Sequence, residues 1–511
     1  MNVSIYDFFE QTAKKNKDKT AIIENNQRFS FSQLETDCNT VACKIVEKSC
    51  EVNIVIGVLL KKSYPLVVAN LAITASGCAY MNLDYKSPPE RLRSIVENVN
   101  PSIIITDEEG AKSLGNIFNN NIVPEIILYD DNEHSSKDII TIDDLRKRRE
   151  KIIDTDPYCL INTSGSTGTP KSVILNHKSF VDFLNWSVLE FDFSGSEIMG
   201  SLSPSIFDIY SFELCLLSFQ ASTICLIDDK LSPFPAKILE IIEKHKVNFI
   251  FWVPTIMVNI VNLGLLDKFS LENLKTVWFA GEVFPTAYFN KWFDKLPNTQ
   301  FVNLYGPIEI TLDCSYYIIN DRILDDQPIP IGRSCKNTNL IVLNDDGTET
   351  KEGDIGELCV RGTSLAMGYY NNPEATKKAF ITNPLNKKYP EIIYKTGDLV
   401  TRSDGLYYFK GRADTLVKHL GYRIELTEIE HSISSNIEEV RNVCVIYAVE
   451  KKEIIAYCEL RSHLTIKDFR ISLRDVLPSY MIPSKIVEVE KMSMNTNGKI
   501  DRLVYKRLSQ E

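Results

Sequence analysis

Apolar residues recur along this chain in two alternating rhythms. Residues 32–46 set Leu34, Cys38, Val41, Ala42 and Ile45 at helical spacing after a capping-box pair, Ser32 and Glu35. Residues 54–60 form an apolar, β-branched run broken only by Gly57, which predicts a strand buried on both faces. A helix over 65–75 and a strand over 102–106 follow. Farther along, the pattern predicts strands at 158–161, 223–227, 247–252, 276–279 and 300–304, with helices at 177–191, 235–245 and 285–295. Strand–helix–strand order of this kind predicts parallel sheets with helices on both faces. From Gly332 the strands shorten and turns punctuate them, as at 344–347 and 403–405. Residues 412–511 read as a separate small unit of helices and strands.

Composition narrows the function classes. The 511 residues are 44% hydrophobic and 24% charged, ordinary for a globular protein of more than one domain. A net charge of -11 argues against nucleic-acid binding, which needs a basic surface. The basic run at 146–151 is expected to be a solvated helix face or loop. The first fifteen positions lack the basic end and apolar run of a secretory signal, and no apolar stretch is long enough to span a bilayer. A cytoplasmic, membrane-free protein is expected. Its twelve cysteines include no Cys-x-x-Cys pair and are expected to be reduced apolar side chains.

The most informative stretch is 163–171, Thr163, Ser164, Gly165, Ser166, Thr167, Gly168, Thr169, Pro170 and Lys171. A strand runs into a loop of hydroxyls and glycines ending in a lysine, a composition suited to cradling phosphate. It is not a P-loop, because Pro170 stands where that motif needs glycine. This loop resembles the signature of the acyl-adenylate-forming superfamily, which comprises acyl- and aryl-CoA synthetases, luciferases and nonribosomal peptide adenylation domains. Five further blocks resemble that family in order: 303–309, 356–370, 394–399, 411–426 and 497–502.

The resemblance implies an α/β fold. It would have a large N-terminal body (1–411) of parallel-rich sheets flanked by helices, with a small β-barrel-like part. A small, mobile α+β C-terminal lid (412–511) would turn on a hinge at 412–414. It implies ATP and magnesium as cofactors. Thr163 to Gly168 and Lys171 would wrap the leaving phosphates, and Glu309 would hold magnesium. Tyr305 would pack on adenine, Asn303 would bond its edge, and Asp398 would accept from the ribose hydroxyls, a role suited to a carboxylate. Lys499 would reach in from the lid to the substrate carboxylate and the α-phosphate, Arg412 would touch the nucleotide, and Asp414 would be the hinge acid.

Asp208 bears on which acid is activated. A carboxylate among Phe207, Ile209, Tyr210 and Phe212 is costly to bury without a cation or donors. In the amino-acid-activating branch the matching acid pairs with the substrate ammonium; a helix N-cap is the structural alternative. By the same resemblance Ile209, Phe212, Phe251, Trp278, Ala280, Leu304 and Leu312 line the side-chain pocket, with Asp313 at its end. The aromatics imply a small amino acid, with serine, alanine, glycine and a small diamino acid all open.

The hinge segment also resembles that of D-alanine–carrier-protein ligases. The chain ends soon after the lysine motif, so the expected thiol acceptor is a separate phosphopantetheinylated carrier protein, with coenzyme A second. Two positions depart from the family pattern: Ile308 replaces a usual hydroxyl residue, and Ser172 a usual glycine. The rival readings are a CoA ligase for an acid without an α-amine and a nucleotide-binding partner protein without catalysis.

Overall fold

The computed structural model describes residues 3–118, 124–130, 140–163, 170–412, 416–462, 464–493 and 500–510. Its core is built on two large sheets. In the nine-stranded sheet, parallel pairing runs from Thr20–Glu24 through Thr223–Leu226, Ile198–Ser201, Phe249–Trp252 and Thr276–Phe279 to Gln300–Tyr305. The seven-stranded sheet pairs Val55–Leu59, Ala79–Asn82, Ile103–Thr106, Glu125–Leu128 and Pro157–Thr163 in parallel, then adds Lys171–Asn176 antiparallel.

The helices Tyr64–Ala75 and Asp208–Gln220 are apolar nearly all round and buried almost throughout, so they occupy the layer between the sheets. One-sided helices cover the outer faces: Pro235–Lys244, Pro254–Asn262 and Thr286–Lys295 on the nine-stranded sheet, Pro89–Val99 and Glu108–Ile117 on the other. Beyond them, a five-stranded antiparallel sheet carries Thr338–Leu343, Gly356–Gly362, Phe380–Thr382, Ile392–Ser403 and Leu406–Arg412.

The C-terminal part has a two-stranded hairpin, Leu416–His419 with Tyr422–Glu425, and a three-stranded sheet of Val440–Ala448, Glu453–Leu460 and Lys485–Val489. Alternation along these strands makes two cores. Val443, Val445, Ile454 and Ala456 face the hairpin's Ile424 and the helix Leu426–Asn436, while Cys444, Ile446, Ile455 and Tyr457 face Ile500 and Tyr505. The hairpin and the chain leading from the lysine motif therefore sit on opposite faces of one small sheet. Among the described residues, no helix is long and apolar enough to cross a membrane.

Two local expectations are corrected. The helix Phe31–Lys48 is capped by Ser30, whose extended backbone lets its hydroxyl accept from the Gln33 amide, so Ser32 already lies inside the first turn. The basic run at 146–151 is not a uniformly solvated face. Arg148 and Arg149 are buried, Arg148 on the carbonyl of Ser76 and Arg149 between Asp7 and Glu10.

Candidate active site

The parallel strands of the nine-stranded sheet end on one edge, and their following loops line a crevice there, the usual ligand position in an open α/β sheet. After Gln300–Tyr305 the chain folds back sharply. Thr311 and Leu312 both adopt left-handed backbone, and a Cβ on Gly306 would lie 2.2 Å from the Leu312 carbonyl oxygen. Only glycine fits there, and the fold-back brings Tyr305, Glu309, Leu312 and Asp313 into one loop.

On one side of the crevice, two donors hold the Asp398 carboxylate and its own amide is anchored as well. Arg412 Nη1 meets its Oδ1 at 2.5 Å, the Tyr305 hydroxyl donates to Oδ2, and the Asp398 amide donates to Thr396 Oγ1 at 3.0 Å. The first two fix the carboxylate without using all its lone pairs. Asn303 is buried and donates to the Pro330 carbonyl at 2.7 Å. Lys418 of the C-terminal hairpin reaches in, its Nζ 5.8 Å from the Tyr305 ring centroid. Burial lowers the Lys418 pKa, while Asp398 and Asp313 oppose that shift.

The second cluster surrounds Glu309, which is 1% exposed. Tyr369 donates to its Oε1 at 2.7 Å, and Arg423, also from the hairpin, meets Oε2 at 2.5 Å. Burial pushes the Glu309 carboxyl up, but the Arg423 charge and the Tyr369 hydrogen bond outweigh it and leave the pKa below the usual value. Lys171 Nζ stands 5.3 Å from the Tyr369 ring centroid, and burial lowers its pKa against the pull of Glu309. Thr163 and Lys171 are cross-strand partners, so the two strand ends that flank the hydroxyl-rich stretch lie side by side. Ser172, the departure noted above, donates to Asn162 Oδ1 at 2.7 Å.

The third element is Asp208. Phe207 stands at the helix cap without a side-chain cap bond and Asp208 is the first helical residue, so the N-cap alternative does not hold. Its carboxylate faces the positive end of the helix dipole. Burial raises its pKa to about 6, with backbone donors and Lys418 opposing. Asp313 is 3% exposed, and burial together with the Asp208 charge raises its pKa well above the usual value. Ile209, Phe212, Phe251, Trp278, Ala280, Leu304 and Leu312 all fall in one buried cluster. Trp278 packs on Phe212 and Phe251 with ring centroids 5.3 and 5.4 Å apart, so the aromatics fill much of the space with one another.

The structure thus brings together Lys171, Glu309, Asp398, Arg412, Tyr305, Asp208 and Asp313. Ser164, Gly165, Ser166, Thr167, Gly168, Asp414 and Lys499 lie outside the described residues. Lys418 and Arg423 lie in the 411–426 block, where the resemblance implied roles only for Arg412 and Asp414. Their alternation along the hairpin, with Ile424 turned into the core, was the available signal.

The AMP-binding enzyme family profile matches residues 9–370. Zwittermicin A synthase ZmaJ of Bacillus cereus is 30% identical over 521 residues, covering 100% of this chain and 96% of that protein. Tyrocidine synthase 1 of Brevibacillus parabrevis is 28% identical over 98% of this chain, which spans only 44% of that larger protein. The structure of the Vibrio cholerae adenylation domain AlmE, in complex with glycyl-adenosine-5'-phosphate, superposes with a TM-score of 0.84 at 19% identity. It covers 100% of this chain and 98% of its own, a likeness of fold. Matched over most of its length, the chain belongs to the AMP-binding enzyme family and is an adenylating ligase.

Proposed function

We propose that this chain uses ATP to activate a small amino acid as its aminoacyl-adenylate and then passes the acyl group to the phosphopantetheine thiol of a separate carrier protein. In the first step a substrate carboxylate oxygen attacks the α-phosphorus and pyrophosphate leaves. In the second the thiol sulfur attacks the acyl carbonyl and AMP leaves. Coenzyme A is the less favoured acceptor. A CoA ligase for acids lacking an α-amine is the competing reading.

The observation that carries the amino-acid reading is Asp208, a half-buried carboxylate at the start of an apolar helix, with its pKa raised by burial. Among the described residues no cation pairs with it directly, so a substrate ammonium supplies the missing charge. Asp313, close enough to feel that charge, marks the far end of a pocket shortened by Phe212, Phe251 and Trp278. A small side chain fits this space. The buried acid favours one with a polar tip, such as serine or a small diamino acid, over alanine or glycine.

Asp398 faces the ribose hydroxyls, the Tyr305 ring packs on adenine with Asn303 at its edge, and Arg412 holds Asp398 in place. Lys171 and the 163–168 loop take the outgoing phosphates. Glu309 fits magnesium as a lone buried carboxylate, since this ion is usually held by one or two carboxylates together with substrate phosphates and water. Bound there, the ion would neutralise phosphate charge. Lys499 would serve the first step. Lys418, at the Tyr305 ring in the present arrangement, would serve the second, with residues 412–414 turning the 412–511 unit against the 1–411 body between the two steps. The twelve free cysteines, eleven of them buried, suit a reducing compartment, the cytoplasm.

The test is amino-acid-dependent exchange of labelled pyrophosphate into ATP, screened over D- and L-amino acids and acids without an amine. Exchange driven only by amine-free acids would hand the function to the competing reading. Tight nucleotide binding without any exchange would leave a non-catalytic partner protein.

A further inference from the structure

Asp208 follows a segment, residues 201–207, that crosses from the nine-stranded sheet toward the seven-stranded one. Two side chains of the seven-stranded sheet and its adjoining loop grip it, and a third holds the helix that follows. Lys62 Nζ donates to the carbonyls of Ser201 and Ser203, both at 2.7 Å. Asn82 Nδ2 donates to the Ser205 carbonyl at 2.9 Å. Tyr80 Oη bonds Ser211 Oγ at 2.8 Å, in the first turn of the helix that Asp208 begins. The carbonyls of Ser201, Ser203 and Ser205 are thus all taken by the other sheet and its adjoining loop, up to the turn at 204–207 that leads into the helix.

The ammonium of Lys62 is desolvated, and the carboxylates facing it are Asp229, Glu213 and Asp228, the second of which also accepts from Ser201 Oγ at 2.5 Å. Lys62 bonds the backbone that leads to Asp208, and through that backbone it acts on Asp208.

The geometry points to Lys62, with Asn82, as the positioning residue of amino-acid recognition: together they aim Asp208 at the substrate ammonium by fixing the carbonyls of residues 201–205. This rests on the reading of Asp208 as the ammonium partner. Displacing a binding group by about 1 Å costs up to about a hundredfold in rate. Only substrates that use the misplaced group suffer that loss. Apolar packing of the segment, by contrast, would affect every substrate alike.

The experiment compares kcat/KM in pyrophosphate exchange for the best amino acid from a full D- and L-panel with that of its des-amino acid. Wild type, Lys62→Met, Asn82→Leu, Asp208→Asn and the Lys62→Met/Asp208→Asn double variant are measured. Lys62→Met is expected to lower the amino-acid value at least about tenfold, mainly in KM, with the des-amino value and the ATP KM unchanged within about twofold. Adding Lys62→Met to Asp208→Asn is expected to cost little more, because the first acts through the second. Equal losses for both acids, or full additivity in the double variant, overturn the proposal. An undiminished amine preference in Asp208→Asn would instead overturn the underlying reading of Asp208. Asn82→Leu keeps the test open if Lys62→Met does not fold: it removes one of the three carbonyl grips and predicts the same selective loss, and a uniform loss there also sinks the idea.

Discussion

Arg423 and Glu309 lie 114 positions apart in sequence, yet their guanidinium and carboxylate meet at 2.5 Å, one from the C-terminal hairpin and one from the body. Glu309 is also the carboxylate proposed to hold magnesium. An ion there would compete with Arg423 for that carboxylate, and the hairpin's docking should respond to metal–nucleotide occupancy. Removing Arg423 leaves a buried carboxylate without its cation, a change that typically costs about 3–5 kcal/mol. With the 412–511 unit turning against the body as proposed, the cost should fall on docking. Arg423→Ala is expected to raise amide hydrogen exchange across 416–425 in the ligand-free protein to the level that Mg–ATP produces in wild type. Exchange rates insensitive to both would mean that the pair does not couple the two parts.

The pH dependence of amino-acid use should report Asp208. Its pKa is raised from the usual carboxylate value to about 6, with burial as the largest cause. The ionised form, which the ammonium needs, dominates above that value and disappears as pH falls through it. kcat/KM for the amino acid should therefore fall below pH about 6, since that ratio reports the free enzyme. The inflection in kcat should sit lower, because a bound ammonium pulls the carboxyl pKa down. In Asp208→Asn the inflection should vanish from both profiles; its survival would assign the titration to another group.

Much of the architecture was legible because the periodicities are strong. The buried run at 54–60 reads as a strand covered on both faces, and the nearly all-apolar helix Tyr64–Ala75 could hardly pack elsewhere than between layers. Asp208 stood out for the same reason, as a charge in an apolar stretch. Local patterns could not show which distant groups would meet. Arg149 read as a surface charge until Glu10, 139 positions away, came within 3.2 Å of it. Arg423 read as one residue of a motif until Glu309 came to face it. Lys62 carried no signal at all, because its partners are backbone carbonyls, which every residue has.

Side-chain selection should trace to Asp313. Burial and the neighbouring Asp208 charge both favour its protonated form, so it can donate as well as accept a hydrogen bond. A buried group built to bond a substrate hydroxyl rejects the analogue lacking it by up to about 10⁴-fold, whereas an apolar pocket discriminates far less. Asp313→Ala is expected to collapse the preference for serine over alanine in pyrophosphate exchange at least about tenfold, with the ATP KM unchanged. If the ratio holds, the pocket ends elsewhere.

Gly421 offers a way to separate the two half-reactions. It sits at the hairpin turn with φ of 83°, and its amide donates to Glu282 Oε1 at 2.6 Å while Glu282 Oε2 accepts from the Thr255 amide at 3.0 Å. A Cβ there would come within 3.1 Å of Val253 Cγ1, so a larger residue strains both the turn and the contact with the body. The strain costs about 1–2 kcal/mol in backbone conformation alone. That strain goes with the turn in either arrangement, whereas the clash with Val253 applies only when the hairpin is docked, the arrangement that brings Lys418 to the Tyr305 ring. The lysine-motif segment connects to the opposite face of the small sheet, through Ile500 and Tyr505, so an adenylating arrangement that uses it need not seat this turn. Gly421→Val should therefore leave pyrophosphate exchange within about threefold of wild type while slowing thioester formation on a carrier protein about tenfold or more. Equal loss in both assays would show that the turn shapes the fold as a whole and not the second step.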